Sequence, residues 1–377
     1  MRKILLCFFF FICFLTSHTQ NLSYTCPRDT VLGCAVNCFN LTARFPDIKA
    51  LGTDYTLQNV SNISACLPYV APGAPGPSTN LTIDDRYSTV LTLPFSFPFY
   101  GIPYNSLIAS TNGFVSFDIS KTGLFSHFDD NGNLPNTLYD AALIMGPYHD
   151  LDPSITTSPT QQIKFQIIGT APNRKWVLSF YKLPLFDCPS LFNNTHQIIL
   201  HESTGIIEVE IIDKEICNTW NSGRAMVGLQ DFTKTKGIMA PNRRMTDPPW
   251  GGIGMNEIWR FIPTGGASLY RSVELLDGSG ATIATGDTVR VDANTFEWTF
   301  PNVCPPANSM ATYVVKTTYA KLNDPTTTTY SLDTVRVLRN AMPVSQSSVN
   351  TSCGNSVGSI TVTATGGTAP LSYTLNP

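Results

Sequence analysis

At 377 residues the chain is long enough for two or three domains, each burying its own core. Charged residues make up only 14%, against roughly 25% in an average soluble domain, and the formal net charge is −3 with a pI of about 5.9. That balance excludes a nucleic-acid surface, which needs clustered Lys and Arg, while the many Thr, Ser, Asn, Gly and Pro suit short strands and turns.

Met1-Arg2-Lys3 followed by the apolar run Ile4 to Leu15 has the form of a secretory signal. Residues 1–19 are read as that signal, cleaved near Thr19-Gln20. The alternative is an uncleaved anchor, but the run is 12 residues long, short of the roughly 20 that span a bilayer. No later stretch is long and apolar enough to span. Cys7 and Cys13 follow bulky residues, which argues against lipidation. Eight cysteines remain, and in an exported chain they point to disulfides. Zinc would want CxxC-type pairs, whereas Cys34 and Cys38 are spaced CxxxC. Residues 20–80, with Cys26, Cys34, Cys38 and Cys66, are expected to form a small cross-linked leader. Its tail, Ala71 to Pro77, is a Pro/Gly loop.

The stretch from Leu93 to Asp118, LPFSFPFYGIPYNSLIASTNGFVSFD, opens with apolar residues at every second place. Period two buries one face of a strand. Pro94 and Pro98 cannot donate ladder hydrogen bonds, so this strand belongs at a sheet edge or beside a bulge. Leu107 to Ser110 and Phe114 to Phe117 read as strands flanking Asn112-Gly113, a strong hairpin signal. Further strands are expected at Ala142 to Met145, Ile163 to Ile168, Trp176 to Leu185, His196 to His201, Ile206 to Ile212 and Ala225 to Leu229. Many short strands joined by turn residues argue for an all-β sandwich. Cys188 and Cys217 bracket two of these strands and are expected to form a disulfide.

The FxFxFYG…Y…STNGFVSF pattern is followed by IMGPYHDLDP, HQIILHESTGIIEVEI and NEIWRFIP. Together, in that order, these segments resemble nidogen-like (NIDO-type) extracellular β domains. The version they resemble stands at the start of gliding-motility-associated and type IX-secreted surface proteins of Bacteroidetes. The resemblance implies a NIDO-like β-sandwich over residues 81–263 with an adhesion or surface role, and offers no catalytic residues. From Thr264-Gly265-Gly266 the texture changes, and residues 264–340 read as an immunoglobulin-like β module by strand pattern alone. In residues 341–377, Cys353-Gly354, Gly358 to Val362, Gly366-Gly367 and Ala369 to Tyr373 resemble a SprB-type repeat. The expectation there is a partial repeat, with Ser359 to Ala364 and Leu371 to Leu375 as a hairpin and Cys353 alone or bonded to Cys304.

Catalytic signatures are missing: no GxSxG, no GxxxxGK[ST], no HExxH. Ser179 and Lys182 satisfy SxxK, but on a strand they face opposite ways. His196 and His201 likewise point apart. Asp150 and Asp152, two apart on an extended segment, place both carboxylates on one side, a hard-oxygen pair suited to Ca²⁺; the competing reading is a turn whose Asp side chains cap backbone amides. Asp129 to Asn133 resembles an EF-hand loop but lacks its Gly and Glu. Among the aromatics that could stack on a sugar, Tyr148, Trp220, Trp250 and Trp259, alternation pairs Trp259 with Phe261 on a core face; Trp250, in the loop Asp247 to Gly252, is the better ligand candidate, with packing within the loop as the competing reading.

The expected function is that of a non-catalytic secreted cell-surface protein, an adhesion or gliding-motility module of a longer chain. The alternative is a carbohydrate-binding module of a polysaccharide-degrading system. The expected partner is an extracellular or cell-surface ligand, glycan or protein, with no nucleic acid and no cofactor unless Ca²⁺.

Overall fold

Alternation of apolar and polar residues recurs along the chain, and in the computed structural model the described residues form many strands, with no helix longer than a single 3-10 turn. The structure describes residues 30–32, 36–61, 67, 69–72, 79–307, 309–322, 324–339, 344–349 and 359–364. Residues 1–19 and Cys26, Cys34, Cys66 and Cys353 lie outside these. The first strands are β1 (Thr30–Leu32), β2 (Phe39–Pro46) and β3 (Asp54–Asn59). β4 (Leu91–Phe99), β5 (Ile102–Ala109), β6 (Phe114–Ser116) and β7 (Leu143–Tyr148) follow. Next come β8 (Gln162–Ile168), β9 (Lys175–Leu183), β10 (Asn194–His201), β11 (Ile207–Asp213), β12 (Met226–Gln230), β13 (Gly237–Met239) and β14 (Glu257–Thr264). β15 (Tyr270–Asp277), β16 (Thr282–Thr285), β17 (Asp287–Asp292), β18 (Thr295–Val303), β19 (Met310–Lys321) and β20 (Asp324–Arg339) complete the main body. β21 (Val344–Val349) and β22 (Ser359–Ala364) form a separate pair.

The first sandwich joins two six-stranded sheets, ordered β3-β14-β11-β10-β9-β8 and β13-β12-β7-β6-β5-β4. Their inner faces share one core, in which Phe97, Phe99 and Phe117 meet Trp176, Phe180 and Phe261. β4 lies at a sheet edge, and its register with β5 shifts between Thr92 and Phe97. Both features follow from Pro94 and Pro98, which have no N–H for a neighbour to accept. Gly113 turns β5 into β6 at φ +84, and a Cβ there would lie 2.5 Å from the Pro147 carbonyl oxygen, so only glycine fits. The outer face of the second sheet is covered as well: Leu134, Tyr139 and Met245, from loops, pack on Phe114, Met145 and Tyr148. β7 is therefore buried along its whole length.

The second sandwich has sheets β1-β20-β19-β15-β16 and β17-β18-β2, packed about Phe45, Trp298, Val315, Tyr319 and Val335. The alternating strands expected from residue 264 onward are present, but the module does not begin there. β2 pairs along β18 from Thr295↔Pro46 to Val303↔Phe39, and β1 runs parallel to β20. β3 instead pairs with β14 in the first sandwich. The 20–80 segment is therefore no self-contained leader; its described strands are divided between the two sandwiches. The physical cause is ordinary alternation, since Leu41, Ala43 and Phe45 bury one face of β2 in the second core. Cys38 is bonded to Cys304, which excludes the Cys304–Cys353 alternative.

The sandwiches meet at a polar junction. Arg260 donates from Nε to Glu208 Oε1 at 2.8 Å, and His201 Nε2 lies 2.8 Å from Glu208 Oε2, all three side chains fully buried. Beside them Ile206 and Ile262 enter the second core. Thr329 of β20 donates to Asn173 Oδ1 at 2.8 Å across the same seam. Ser359–Ala364 is a strand as expected, but its partner is Val344–Val349, in register from Val344↔Ala364 to Val349↔Ser359. The expected partner Leu371 to Leu375 lies outside the described residues. Among the described residues no helix is long and apolar enough to cross a membrane.

Candidate functional site

β7 runs beneath its loop cover and ends at Tyr148, whose hydroxyl donates to the Asp129 carbonyl at 2.9 Å. The next two residues, His149 and Asp150, sit at the rim of the sandwich, each 5% exposed. Trp220 Nε1 donates to Asp150 Oδ2 at 2.7 Å. The other oxygen, Oδ1, is buried with no hydrogen-bond partner among the described residues. Trp220 comes from the loop after β11, which the Cys188–Cys217 disulfide ties to the loop between β9 and β10, Cα atoms 5.8 Å apart. The expected bridge is thus formed, and it braces the wall behind Asp150.

The opposite wall is a turn that precedes β4. Asp84 Oδ1 accepts from Asp85 N at 3.0 Å, and Asp85 Oδ1 accepts from Asn112 Nδ2 at 2.8 Å. Asn112, fully buried, also donates to the His127 carbonyl at 3.0 Å and accepts from Leu151 N at 3.1 Å. The Asn of the Asn-Gly turn therefore fastens three separate segments together. Carboxylate oxygens of Asp84, Asp85 and Asp150 consequently lie within 4.8 Å of one another. Burial, reinforced by the neighbouring carboxylates Asp85 and then Asp84, pushes Asp150 up to about 8. Burial and Asp85 push Asp84 to about 7, and burial raises Asp85 against the pull of Asn112.

Asp152 does not join the cluster. Its Oδ1 accepts from Ser154 N at 2.8 Å, so it caps a turn. The two-residue alternation that would have aligned it with Asp150 holds only along a strand, and β7 has already ended. The Asp150–Asp152 pairing expected from sequence is thereby replaced by Asp84, Asp85 and Asp150. Their only sequence signal is the Asp-Asp doublet in TIDDRY, 65 positions before Asp150. A second acidic group, Asp187 with Cys188 and Cys217, has both sulfurs in the disulfide.

Trp250 is not a displayed ring. It is 7% exposed and donates from Nε1 to the Ala225 carbonyl at 2.8 Å. Arg243 lies 4.3 Å and Lys214 5.2 Å from its ring centre, so protein cations occupy the place a sugar would take. Trp259 and Tyr148 are buried too. Trp220 is half-buried against Phe186 and Phe128. Beside it, His149, Asp150, Phe186 and Arg224 line a cleft with about 20 Å³ of space, room for one water-sized occupant and no pyranose.

The remaining polar motifs have local roles. Asp130 accepts from Gly132 N at 3.1 Å and from Arg224 at 3.2 Å, ordering the EF-hand-like stretch as a capped loop. His196 stacks on Phe180 at 4.4 Å, whereas His201 is held by Glu208 at the module junction. Ser179 accepts from Gln197 Nε2 at 2.7 Å.

Residues 61–250, half of the chain, match the model of the NIDO-related family. The chain belongs to the NIDO-related family. A SprB repeat matches residues 345–377. No curated protein and no solved structure matches the chain. All three carboxylates of the acidic cluster, and the Trp220 that braces them, lie within the NIDO-related match. The polar junction straddles its limit, with Arg260 beyond the last matched residue.

Proposed function

We propose that this chain is a secreted cell-surface protein in which the NIDO-related sandwich and the immunoglobulin-like module beside it serve adhesion or gliding-type motility. One observation carries the reading: a NIDO-related domain and a SprB repeat stand in one chain, a pairing that points to a surface- or gliding-associated protein. The Cys38–Cys304 and Cys188–Cys217 disulfides support an oxidising, extracellular setting. The apolar leader over residues 1–19 supports export, and type IX secretion in a Bacteroidetes host is part of the same proposal. The carbohydrate-binding alternative has lost Trp250, the residue it rested on. In this reading the sandwiches are rigid spacers and docking faces for a protein or glycan outside the cell.

The test is to label intact host cells with antibody against residues 81–263 and to measure surface attachment and spreading after deletion of the gene. Surface labelling with reduced attachment or spreading is expected. Protein confined to the cytoplasm with an intact leader overturns the proposal.

A further inference from the structure

We propose that Asp84, Asp85 and Asp150 form a Ca²⁺ site that fastens the turn before β4 to the end of β7. Three observations converge on it. The first is spacing. Ca²⁺ holds oxygen ligands at about 2.3–2.6 Å, so ligands on opposite sides are about 4.6–5.2 Å apart, and the three carboxylate oxygens lie within 4.8 Å of one another. The second is an orphaned acceptor. Asp150, a member of the cluster, is 5% exposed; Trp220 takes its Oδ2, and Oδ1 has no donor among the described residues. A buried carboxylate oxygen demands a partner, and a cation between the three acids supplies one. The third is charge. Beyond one another, the charges acting on these groups are further carboxylates, Asp152 on all three and Asp129 on Asp85. The basic side chains of the region are committed elsewhere: Arg86 to the Gly123 carbonyl, Arg224 to Asp130 and Lys214 to the Gly223 carbonyl.

The supporting shell is already in place. Asn112 orients Asp85 and Trp220 orients Asp150, as outer-shell partners orient ligands in metal sites. Asp84 and Asp85 are half-buried, which leaves the ion a route in and room for water ligands. An all-oxygen set drawn from two distant segments suits a large, geometrically tolerant cation better than Mg²⁺, which demands a near-ideal octahedron. The site would hold whatever the surface role of the protein, because it joins parts of the sandwich itself.

The experiment uses the secreted full chain, stripped with EDTA and returned to Ca²⁺. The expected result is a rise in Tm of about 3–8 °C at saturating Ca²⁺. Asp85→Asn and Asp150→Asn are each expected to abolish the rise while melting no lower than the wild type in EDTA above pH 8, where Asp150 is ionised and each change removes one repelling charge. Asp152→Asn, altering a turn cap, is expected to keep the rise. Tb³⁺ provides a second readout independent of the variants: excitation of Trp220 beside Asp150 sensitises Tb³⁺ emission, Ca²⁺ quenches it by competition, and Trp220→Phe removes it. Equal melting in Ca²⁺ and EDTA, a Ca²⁺ shift that survives in both Asn variants, an equal response to Mg²⁺, or no sensitised emission from the wild type overturns the assignment.

Discussion

Cys38 and Cys304, 266 positions apart in sequence, are joined by a disulfide with their Cα atoms 4.1 Å apart. The bond lies just beyond the Phe39↔Val303 pair and so closes the end of the β2–β18 ladder. It staples the start of β2 to the end of β18, two strands of the second sandwich that the whole of the first separates in sequence. In the chain-entropy model a loop of this length contributes about 5–6 kcal/mol, less if the first sandwich stays folded when the second opens. Replacing both cysteines by Ala should lower the denaturant midpoint of the second sandwich. Non-reducing peptide mapping should recover the Cys38 and Cys304 fragments linked; recovery of Cys304 linked to Cys353 would contradict the pairing.

The Cys188–Cys217 bridge closes a loop of 29 positions, worth about 3–4 kcal/mol in the same model. Because Trp220 hangs from this staple, the double Ala variant should also change tryptophan fluorescence before global unfolding. Unchanged stability and emission together would show that the bridge braces nothing.

Between about pH 4 and 8 the buried His201 and the buried carboxyls pull stability in opposite directions. Burial lowers His201 to about 4, despite Glu208 beside it and with Lys175 and Arg260 adding to the effect. Unfolded His titrates near 6.5, so the unfolded state gains the proton first and stability falls as pH drops from 6.5 toward 4. Glu210 is raised by burial and by Glu208 to about 8 from 4.5, so its contribution is present below 4.5 and lost as pH climbs toward 8. Asp333, raised by burial to about 7, acts in the same direction. Glu210→Gln should remove the part of the fall in a midpoint-versus-pH curve that runs from 4.5 to about 8. A variant curve parallel to the wild type from pH 4.5 to about 8 would refute this.

Trp250→Ala should cost about 3–5 kcal/mol, the range for emptying a large aromatic site in a core. Trp250→Phe should cost less and leave any glycan binding unchanged, measured side by side on an array. Loss of binding in Trp250→Phe at full stability would restore the ring as a ligand contact.

Much of the architecture was legible because strand alternation is a local property. Phe95, Phe97 and Phe99 announce a buried face by themselves, and Pro94 and Pro98 announce an edge, since a missing N–H excludes a neighbour regardless of what else the chain does. Cys188 and Cys217 could be paired because the hairpin between them returns the chain to its start. Other features depended on which segment covers which face. β2 reads as a strand anywhere, yet only packing decides that it joins β18 and not the β3–β14 side. Trp250 lies in irregular chain, but irregular chain here folds over a sheet, so loop position did not mean exposure. Arg260, Glu208 and His201 occupy the polar face of an alternating strand pattern, which alone would point to water; the second sandwich covers that face and makes them a buried network. The acidic cluster is the extreme case. Alternation joins Asp150 to Asp152, its neighbour in the chain, whereas the fold joins it to Asp84 and Asp85, because side-chain proximity at the end of a strand is set by the turns of distant segments and not by the period of its own.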